Sequence, residues 1–242
     1  MLLEVLAKLV RVLWTPDYRT AFLRTRVAAS VEHDHVIDGL GLDTIVDVGA
    51  NRGQFALCAR RLYPGASIYS FEPLSRPADT FRKVFRHDPR TQLFQTAIGE
   101  SAGSASMHVS RWDVSSSLLP FAQAQHDNFP LTGESGREDV SIERLSDLLR
   151  PEDVGGTAML KIDVQGYELS TIAGCRDLMD RFAYVYVECS FVPLYEGQAL
   201  AGEVVERLAE FGLRLVCVAN LARGRSRRPI QADFLFARRG TG

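Results

Sequence analysis

No two cysteines in the chain are spaced as C-x-x-C, and only four occur: Cys58, Cys175, Cys189 and Cys217. Each stands in an apolar run, as a reduced core thiol would. Disulfides are therefore not expected, and the expected compartment is the cytoplasm. No Cys and His spacing of a metal site is present, and no metal is expected. Neither sign of charge is in excess: 28 Lys and Arg stand against 30 Asp and Glu, a net charge of −2. Nothing global therefore points to nucleic acid or to an anionic membrane surface. Internal repeats and low-complexity segments are missing as well. The apolar stretch at residues 2–14 is interrupted by Glu4, Lys8 and Arg11, which makes it too short and too charged to span a bilayer. It also lacks the basic start and small-residue cleavage site of a signal peptide.

What is present is enough for one core. A chain of 242 residues with 46% hydrophobic content predicts a single α/β domain over residues 41–242, preceded by a helical extension over residues 1–40. Within the extension Leu2, Leu6, Leu9 and Leu13 share one helical face. That face predicts a helix packed on the domain or on a second copy in a homo-oligomer. The alternative is an amphipathic helix lying on a membrane, which would suit a lipid-linked substrate. Pro16 ends this helix. Residues 17–40 read as helical, with His33 and His35 flanking Asp34. Adjacent helical positions point in different directions, so this triplet reads as a solvated helix end rather than a metal site.

The chain is organised around residues 44–55. Thr44–Val48 reads as a buried strand, Gly49, Ala50, Asn51, Arg52 and Gly53 as a tight turn, and Gln54 as the start of a helix. Glycines at 49 and 53 allow a sharp turn and a close approach of backbone to ligand, and Asn51 tolerates a left-handed backbone. The next strand, Ala66 to Pro73, ends in Glu72, an acid about 20 residues on, placed to accept hydrogen bonds from ribose hydroxyls. Helices are predicted over Phe55–Leu62 and Arg76–Phe85, and a third strand over Thr91–Ile98. Ligands in such sheets sit at the carboxyl ends of the strands. Those ends are Asp47 and Gly49, then Glu72, then Thr96 and Ala97, converging on one adenosine-type site. A dinucleotide fingerprint needs a glycine at position 54, which is Gln, and no Tyr-x-x-x-Lys pair is present. An NAD-dependent oxidoreductase is thus the weaker reading of the same turn.

Residues 100–141 differ in character, with a short strand at Ala105–Val109, a polar turn at Ser115–Ser117 and a long loop from Pro120 to Arg137. Loops of this length are usually functional. His108 and His126 in this segment read as surface histidines, with His126 the better candidate for a base. A fourth core strand, Ala158–Val164, carries Asp163, and a fifth, Ala183–Glu188, ends in Glu188. An acid in an apolar strand needs partners or a ligand crevice. These two carboxylates could flank an acceptor or share a metal, and the first is favoured. Glu168 lies in the first turn of the next helix, where the dipole favours a carboxylate whether or not it has a further role. Leu213–Ala219 and Gln231–Ala237 close the sheet as a hairpin whose tip holds Arg223, Arg225, Arg227 and Arg228. The tip reads as solvated loop or as a grip on a phosphate.

The runs Asp47-Val-Gly-Ala-Asn-Arg-Gly-Gln-Phe55, Phe71-Glu-Pro73, Thr96-Ala-Ile-Gly99 and Leu160-Lys-Ile-Asp-Val-Gln-Gly-Tyr-Glu168 together resemble the FkbM-type methyltransferases. The resemblance covers roughly residues 43–190. It implies a Rossmann-like class I methyltransferase fold, with a mostly parallel sheet, an antiparallel last strand and helices on both faces. It also implies S-adenosylmethionine as cofactor and O-methylation of sugar or polyketide hydroxyls, on small molecules or glycolipids. Residues 100–141 resemble a lid over the acceptor. On this reading Gly49 to Gly53 approach the methionine end of the cofactor, Asp47 contacts its amino group, Glu72 holds the ribose, and Thr96 and Ala97 border the adenine. Asp163 is the first candidate for the base, then Glu188 or His126, and Asp163 could instead bind the methionine part. A non-catalytic S-adenosylmethionine-binding protein is the remaining alternative.

Overall fold

A computed structural model describes residues 2–111, 115–224 and 227–240, with the side chains of residues 2–5 left aside. Arg225, one of the four loop arginines, lies outside the described residues. Five apolar segments form parallel strands: β1 (Thr44–Val48), β2 (Ser67–Phe71), β3 (Thr91–Phe94), then β7 (Ala158–Ile162) and β8 (Phe182–Ser190). With β9 (Leu213–Arg223) and β10 (Pro229–Arg238) they make a seven-stranded sheet in the order β3-β2-β1-β7-β8-β10-β9. Only β10 runs against the rest, inserted between β8 and β9 by its hairpin. β1 and β7 are buried at every residue, which explains their unbroken apolar runs.

Helices cover both faces. On one side α8 (Glu168–Gly174) and α9 (Ala201–Glu210) bury Ile172, Val204 and Leu208 against Val46, Leu160 and Val187. On the other, α4 (Gln54–Leu62), α5 (Ser75–Phe85) and the N-terminal extension bury Phe55, Phe81 and Tyr18 against Ile45, Met159 and Tyr186. This is the mostly parallel α/β sheet with an antiparallel last strand that the sequence predicts.

Three segments depart from expectation. Residues 17–40 are not one helix. α2 (Pro16–Thr25) stops where Arg26 adopts a left-handed φ of 61°, and a short 3₁₀ turn (Val31–His33) leads into the single turn α3 (Asp34–Ile37). The third strand splits, because Gln95 and Thr96 leave the main sheet and β4 (Ala97–Ile98) joins a second, three-stranded sheet. That sheet takes up much of residues 100–141: β5 (Gly103–Ser110) pairs antiparallel with β6 (Glu134–Glu143), and β4 lies parallel to β6. The first half of β6 carries Glu134, Arg137, Glu138 and Asp139 and is largely exposed. It has no apolar alternation to betray a strand.

The helix α1 (Leu2–Trp14) lies on the domain through buried Val12 and the ion pairs Lys8–Glu32 and Arg11–Asp34. The leucine face read as its packing face points outward at Leu6, Leu9 and Leu13, and Trp14 is exposed too. No helix among the described residues is long and apolar enough to cross a membrane.

The last strand is fastened by Arg238. Its guanidinium donates to the carbonyls of Met179 (2.7 Å), Phe211 (2.8 Å) and Phe182 (3.1 Å), so it ties β10 to the segment before β8 and to the end of α9. Arg238→Met strands these three acceptors. Urea unfolding should show a loss of about 2–3 kcal/mol, the scale of hydrogen bonds to a charged donor, with cofactor affinity unchanged.

Candidate active site

The turn after β1 is shaped by contact with β7. Gly49 has φ 80°, and a Cβ there would stand 1.8 Å from the carbonyl oxygen of Asp163. The Asp163 amide in turn donates to Val48 O (3.0 Å), so the two strand ends are locked edge to edge. Asn51 is left-handed as well, at φ 47°. Its amide donates to Glu72 Oε2 (2.9 Å), while Leu74 N donates to Glu72 Oε1 (2.8 Å). The carboxylate of Glu72 thereby joins the turns after β1 and β2. Burial pushes its pKa up to about 7.

These strand ends open on one cavity. Gly49, Ala50 and Asn51 line it from β1, Glu72 from β2, Ala97 from β4, and Asp163 from β7. Met107, Ser116 and Leu118 line it from the second sheet and its loop, so that segment roofs the crevice. Other sequence candidates stand elsewhere. Asp47 is fully buried beneath the lining, and Gly53 faces Phe81 and Phe85, the latter 2.6 Å from where a Cβ would lie. Thr96 turns its hydroxyl to Ser141 O (3.0 Å). Glu188 sits behind Gln165, and His126, on α6 (Gln123–Asn128), is exposed beside the ring of Phe121. His108 is buried and paired with Glu134 (3.0 Å), not a surface histidine.

The floor is ionic. Lys161 Nζ lies 3.1 Å from Asp47 Oδ1, 3.6 Å from Asp163 Oδ2, and donates to Gly49 O (3.1 Å). Although burial opposes its charge, Asp47, Asp163 and Asp233 together hold this ammonium protonated well above the usual lysine range. Neither oxygen of Asp47 accepts a hydrogen bond, since the ammonium meets it as an ion pair without hydrogen-bond geometry. Burial pushes the Asp47 carboxyl upward. Gln165, left-handed at φ 53°, donates through Nε2 to both Asp163 Oδ1 (2.8 Å) and Glu188 Oε2 (2.7 Å). Burial, then Asp163 and Asp233, raise Glu188 well above the ordinary carboxylate range. Tyr195 OH donates to Gln165 Oε1 (2.8 Å), and Ser117 Oγ to Gln165 O (2.5 Å), which latches the roof to the floor. Glu168 is buried and accepts from Gly166 N (2.7 Å), holding the turn before α8.

Sequence reading did not assign Lys161, Gln165 or His33 to the site. A lysine inside a buried apolar strand was the available signal for the first. For Gln165 it was its place in the run Leu160–Glu168 that carries the resemblance, and His33 carries none, since long-range packing alone brings it to the cavity. The expected solvated helix end is overturned: Asp34 is buried between Arg11 and the Cys58 thiol, and His33 lines the cavity. Only His35 is exposed.

The residues fit an adenosyl ligand with an amino-acid end: a buried carboxylate between two turns, a glycine turn that admits no side chain, and an aspartate with both oxygens lacking hydrogen bonds. Residues 47–215 match the Methyltransferase FkbM domain. The chain belongs to the FkbM methyltransferase family. Like other members it is an S-adenosylmethionine-dependent methyltransferase. It is 29% identical over 199 residues to the 2-O-methyltransferase NoeI of Sinorhizobium fredii (strain NBRC 101917 / NGR234), covering 79% of this chain and 78% of that one. It is 29% identical over 196 residues to the 31-O-demethyl-FK506 methyltransferase FkbM of Streptomyces tacrolimicus, covering 72% and 74%. The solved magnesium protoporphyrin IX methyltransferase ChlM of Synechocystis PCC 6803 covers 95% of each chain at 11% identity. The TM-score is 0.46.

Lys161 is the cation of the floor in this FkbM domain, and its removal strands Asp47. Lys161→Met should cost about 3–5 kcal/mol in denaturant unfolding, the penalty of leaving one partner of a buried ion pair alone. A loss below about 1 kcal/mol would show that Asp47 is not charged there.

Proposed function

We propose that this protein methylates a hydroxyl oxygen on a small sugar, glycolipid or polyketide-type acceptor. The observation that carries the reading is the roofed cavity in which the Gly49–Glu72 pocket meets the Lys161–Asp163–Gln165 floor. The names of both relatives place their transfer on oxygen, which supports the same atom here.

S-adenosylmethionine supplies an electrophilic methyl group on a sulfonium. The protein's own residues hold and orient. Glu72 accepts from the ribose hydroxyls with the lone pairs its two backbone donors leave open. Ala97, with Thr96 supporting its strand, borders the adenine. Gly49, Ala50 and Asn51 give way to the methionine end, with Gly53 setting the helix start behind them, and Asp47 attracts its amino group. Of the candidates for proton removal, Asp163 lines the cavity, whereas Glu188 and His126 do not. Asp163 already faces Lys161 and Gln165 with its two oxygens, and its backbone abuts Gly49. This favours its alternative role, fixing the methionine end. Orientation of this kind is worth roughly 7–11 kcal/mol of the barrier.

Met107, Ser116 and Leu118, from the described part of residues 100–141, line the cavity and support a lid role for that segment. The outward apolar face of α1 suits contact with a membrane carrying a glycolipid, or with a second copy. Free cysteines, three of them buried, suit a cytoplasmic setting.

Calorimetry tests the cofactor assignment. S-adenosylhomocysteine should bind and NADH should not; binding of NADH alone would return the dehydrogenase reading. Glu72→Ala should weaken S-adenosylhomocysteine by about 1–3 kcal/mol in a folded protein.

Glu72 also sets a pH dependence. Its pKa near 7 means that it is protonated below neutrality and ionised above. Hydroxyl donors favour the ionised form, so cofactor affinity should hold above pH 7 and fall as pH drops below it, up to about tenfold per unit. The free fold responds oppositely through this group. A raised carboxyl pKa makes the native state bind more protons, so stability declines as pH rises through the interval up to 7. Glu72→Gln should flatten the affinity profile in titrations from pH 5.5 to pH 8, values bracketing about one unit or more on either side. A profile unchanged by Glu72→Gln would remove Glu72 from the ribose.

A further inference from the structure

Beside the cavity four polar side chains from distant parts of the chain meet, Tyr186 and Asp233 buried, His33 and Asn220 half-buried. His33 Nδ1 lies 2.9 Å from Tyr186 OH and 3.3 Å from Asp233 Oδ2. Tyr186 OH donates to Asp233 Oδ2 (2.9 Å), and Asn220 Nδ2 donates to the same oxygen (2.7 Å) while standing 3.3 Å from both Tyr186 OH and His33 Nδ1. Burial pushes Asp233 up, but hydrogen bonds from His33, Asn220 and Tyr186 outweigh it and hold the carboxyl below its ordinary range. The cluster is built by distortion of the sheet. Between Gln231 and Asp233 the partner strand advances from Ala222 to Ala219, one residue too many, and the bulge puts Asn220 at a left-handed φ of 50°. Bulges recur next to active sites, where they re-aim a side chain.

Asn220 Nδ2, 3.3 Å from Nδ1, makes its shorter bond to Asp233 (2.7 Å), and the ionised carboxylate beside Nδ1 favours the ring proton on that nitrogen. The Tyr186 hydroxyl keeps its proton and donates it in a hydrogen bond to Asp233, so its oxygen lone pairs are open to a hydrogen bond from Nδ1. Edge contacts with Phe55 and Tyr186, at centroid distances of 5.4 Å and 5.6 Å, fix the ring plane. With Nδ1 committed to the cluster, Nε2 is the nitrogen left for the cavity that His33 lines beside Phe55 and Asp163.

We infer that His33 Nε2 takes the proton from the acceptor hydroxyl, with Asp233 as the residue that positions the imidazole. The inference rests on the O-methyltransferase reading. As the acceptor oxygen forms its bond to the methyl carbon, the carbon–sulfur bond breaks and its electron pair stays on sulfur. The hydroxyl proton passes to Nε2. The positive charge lost at sulfur is thus regained on the imidazolium, which Asp233 faces. A carboxylate that holds a histidine by one nitrogen while the other removes a hydroxyl proton is a recurrent arrangement in enzymes.

Two measurements on the full chain bound to S-adenosylhomocysteine test this. Nitrogen-15 NMR of the histidine rings, five in the sequence and assigned with His33→Gln, should find the His33 proton on Nδ1 and a bare Nε2. Asp233→Asn should shift the proton toward Nε2. A wild-type proton on Nε2, or a tautomer indifferent to Asp233→Asn, overturns the inference. The second measurement is the initial rate of methyl transfer to a set of methyl glycosides. His33→Gln should lower it about 10²–10⁴-fold, the usual worth of a general base, with S-adenosylhomocysteine affinity within about threefold of wild type. Free imidazole should restore part of the rate to His33→Ala. Full activity in His33→Gln, or a cofactor affinity lowered in step with the rate, overturns the assignment. If the wild type methylates none of the glycosides, the sugar form of the function reading fails, while the tautomer measurement still decides the role of His33.

Discussion

The buried ammonium of Lys161 is the point on which the site depends. It stands on a strand whose every residue is buried, between Asp47 on β1 and Asp163 at the end of its own strand, and it donates to the Gly49 carbonyl. One cation thereby joins the ends of the two central strands, at the place where the β1 turn must leave the sheet. A charge in such a position is unfavourable unless its partners are close and correctly placed. Here they are two carboxylates and a carbonyl, with the Phe55 ring 5.5 Å away on a further side. The ion pair fixes register where hydrophobic contact alone would leave the strand ends free to adjust.

From that point the rest of the polar array follows as a problem of compensation. Asp47, Asp163, Glu188 and Asp233 crowd the carboxyl ends of β1, β7 and β8 and the middle of β10, with Lys161 beside the first two and His33 beside the last. The protein meets the excess with neutral donors. Gln165 spans Asp163 and Glu188, Gln231 Nε2 adds a bond to Glu188 Oε2 (3.0 Å), and Asn220 and Tyr186 serve Asp233. Asn51, Gln165 and Asn220 all reach their places in left-handed backbone, where non-glycine residues are uncommon. Such strain persists only where surrounding structure over-determines it.

The sequence made the frame readable where local chemistry and tertiary role agree. β1, β2, β7 and β8 are apolar runs closed by Gly49, Glu72, Asp163 and Glu188, and each appears with boundaries within a few residues of those expected. Agreement ends where polar residues form structure. β6 begins with Glu134 because its first half pairs only with β5 and faces water, so no periodicity marks it. Thr96 looked like a strand residue, yet it is the joint between two sheets, held by Ser141 on a segment 45 positions away. Helix α2 stops at Arg26 without glycine or proline, a stop set by packing of the following segment on α4, where Ser30 N donates to Gln54 O (3.0 Å). The leucines of α1 share a face, but periodicity does not say which face meets the domain, and Lys8 and Arg11 turn the other one inward.

His33 shows the same limit at the level of function. Its neighbours in sequence, Asp34 and His35, suggested a local unit, and the fold sends the three in different directions: one to the cavity, one to Arg11 and Cys58, one to solvent. The partners that give His33 a defined chemistry lie at 186, 220 and 233, on three strands of the closing half of the sheet. The family match begins at residue 47, so the shared domain contains neither His33 nor the segment that presents it. It also ends before Asn220 and Asp233. A methyltransferase must hold one donor and can meet many acceptors. Gly49, Glu72 and Asp163 stand within the matched residues, as do Tyr186 and the roof at Met107, Ser116 and Leu118, whereas His33, Asn220 and Asp233 stand outside them.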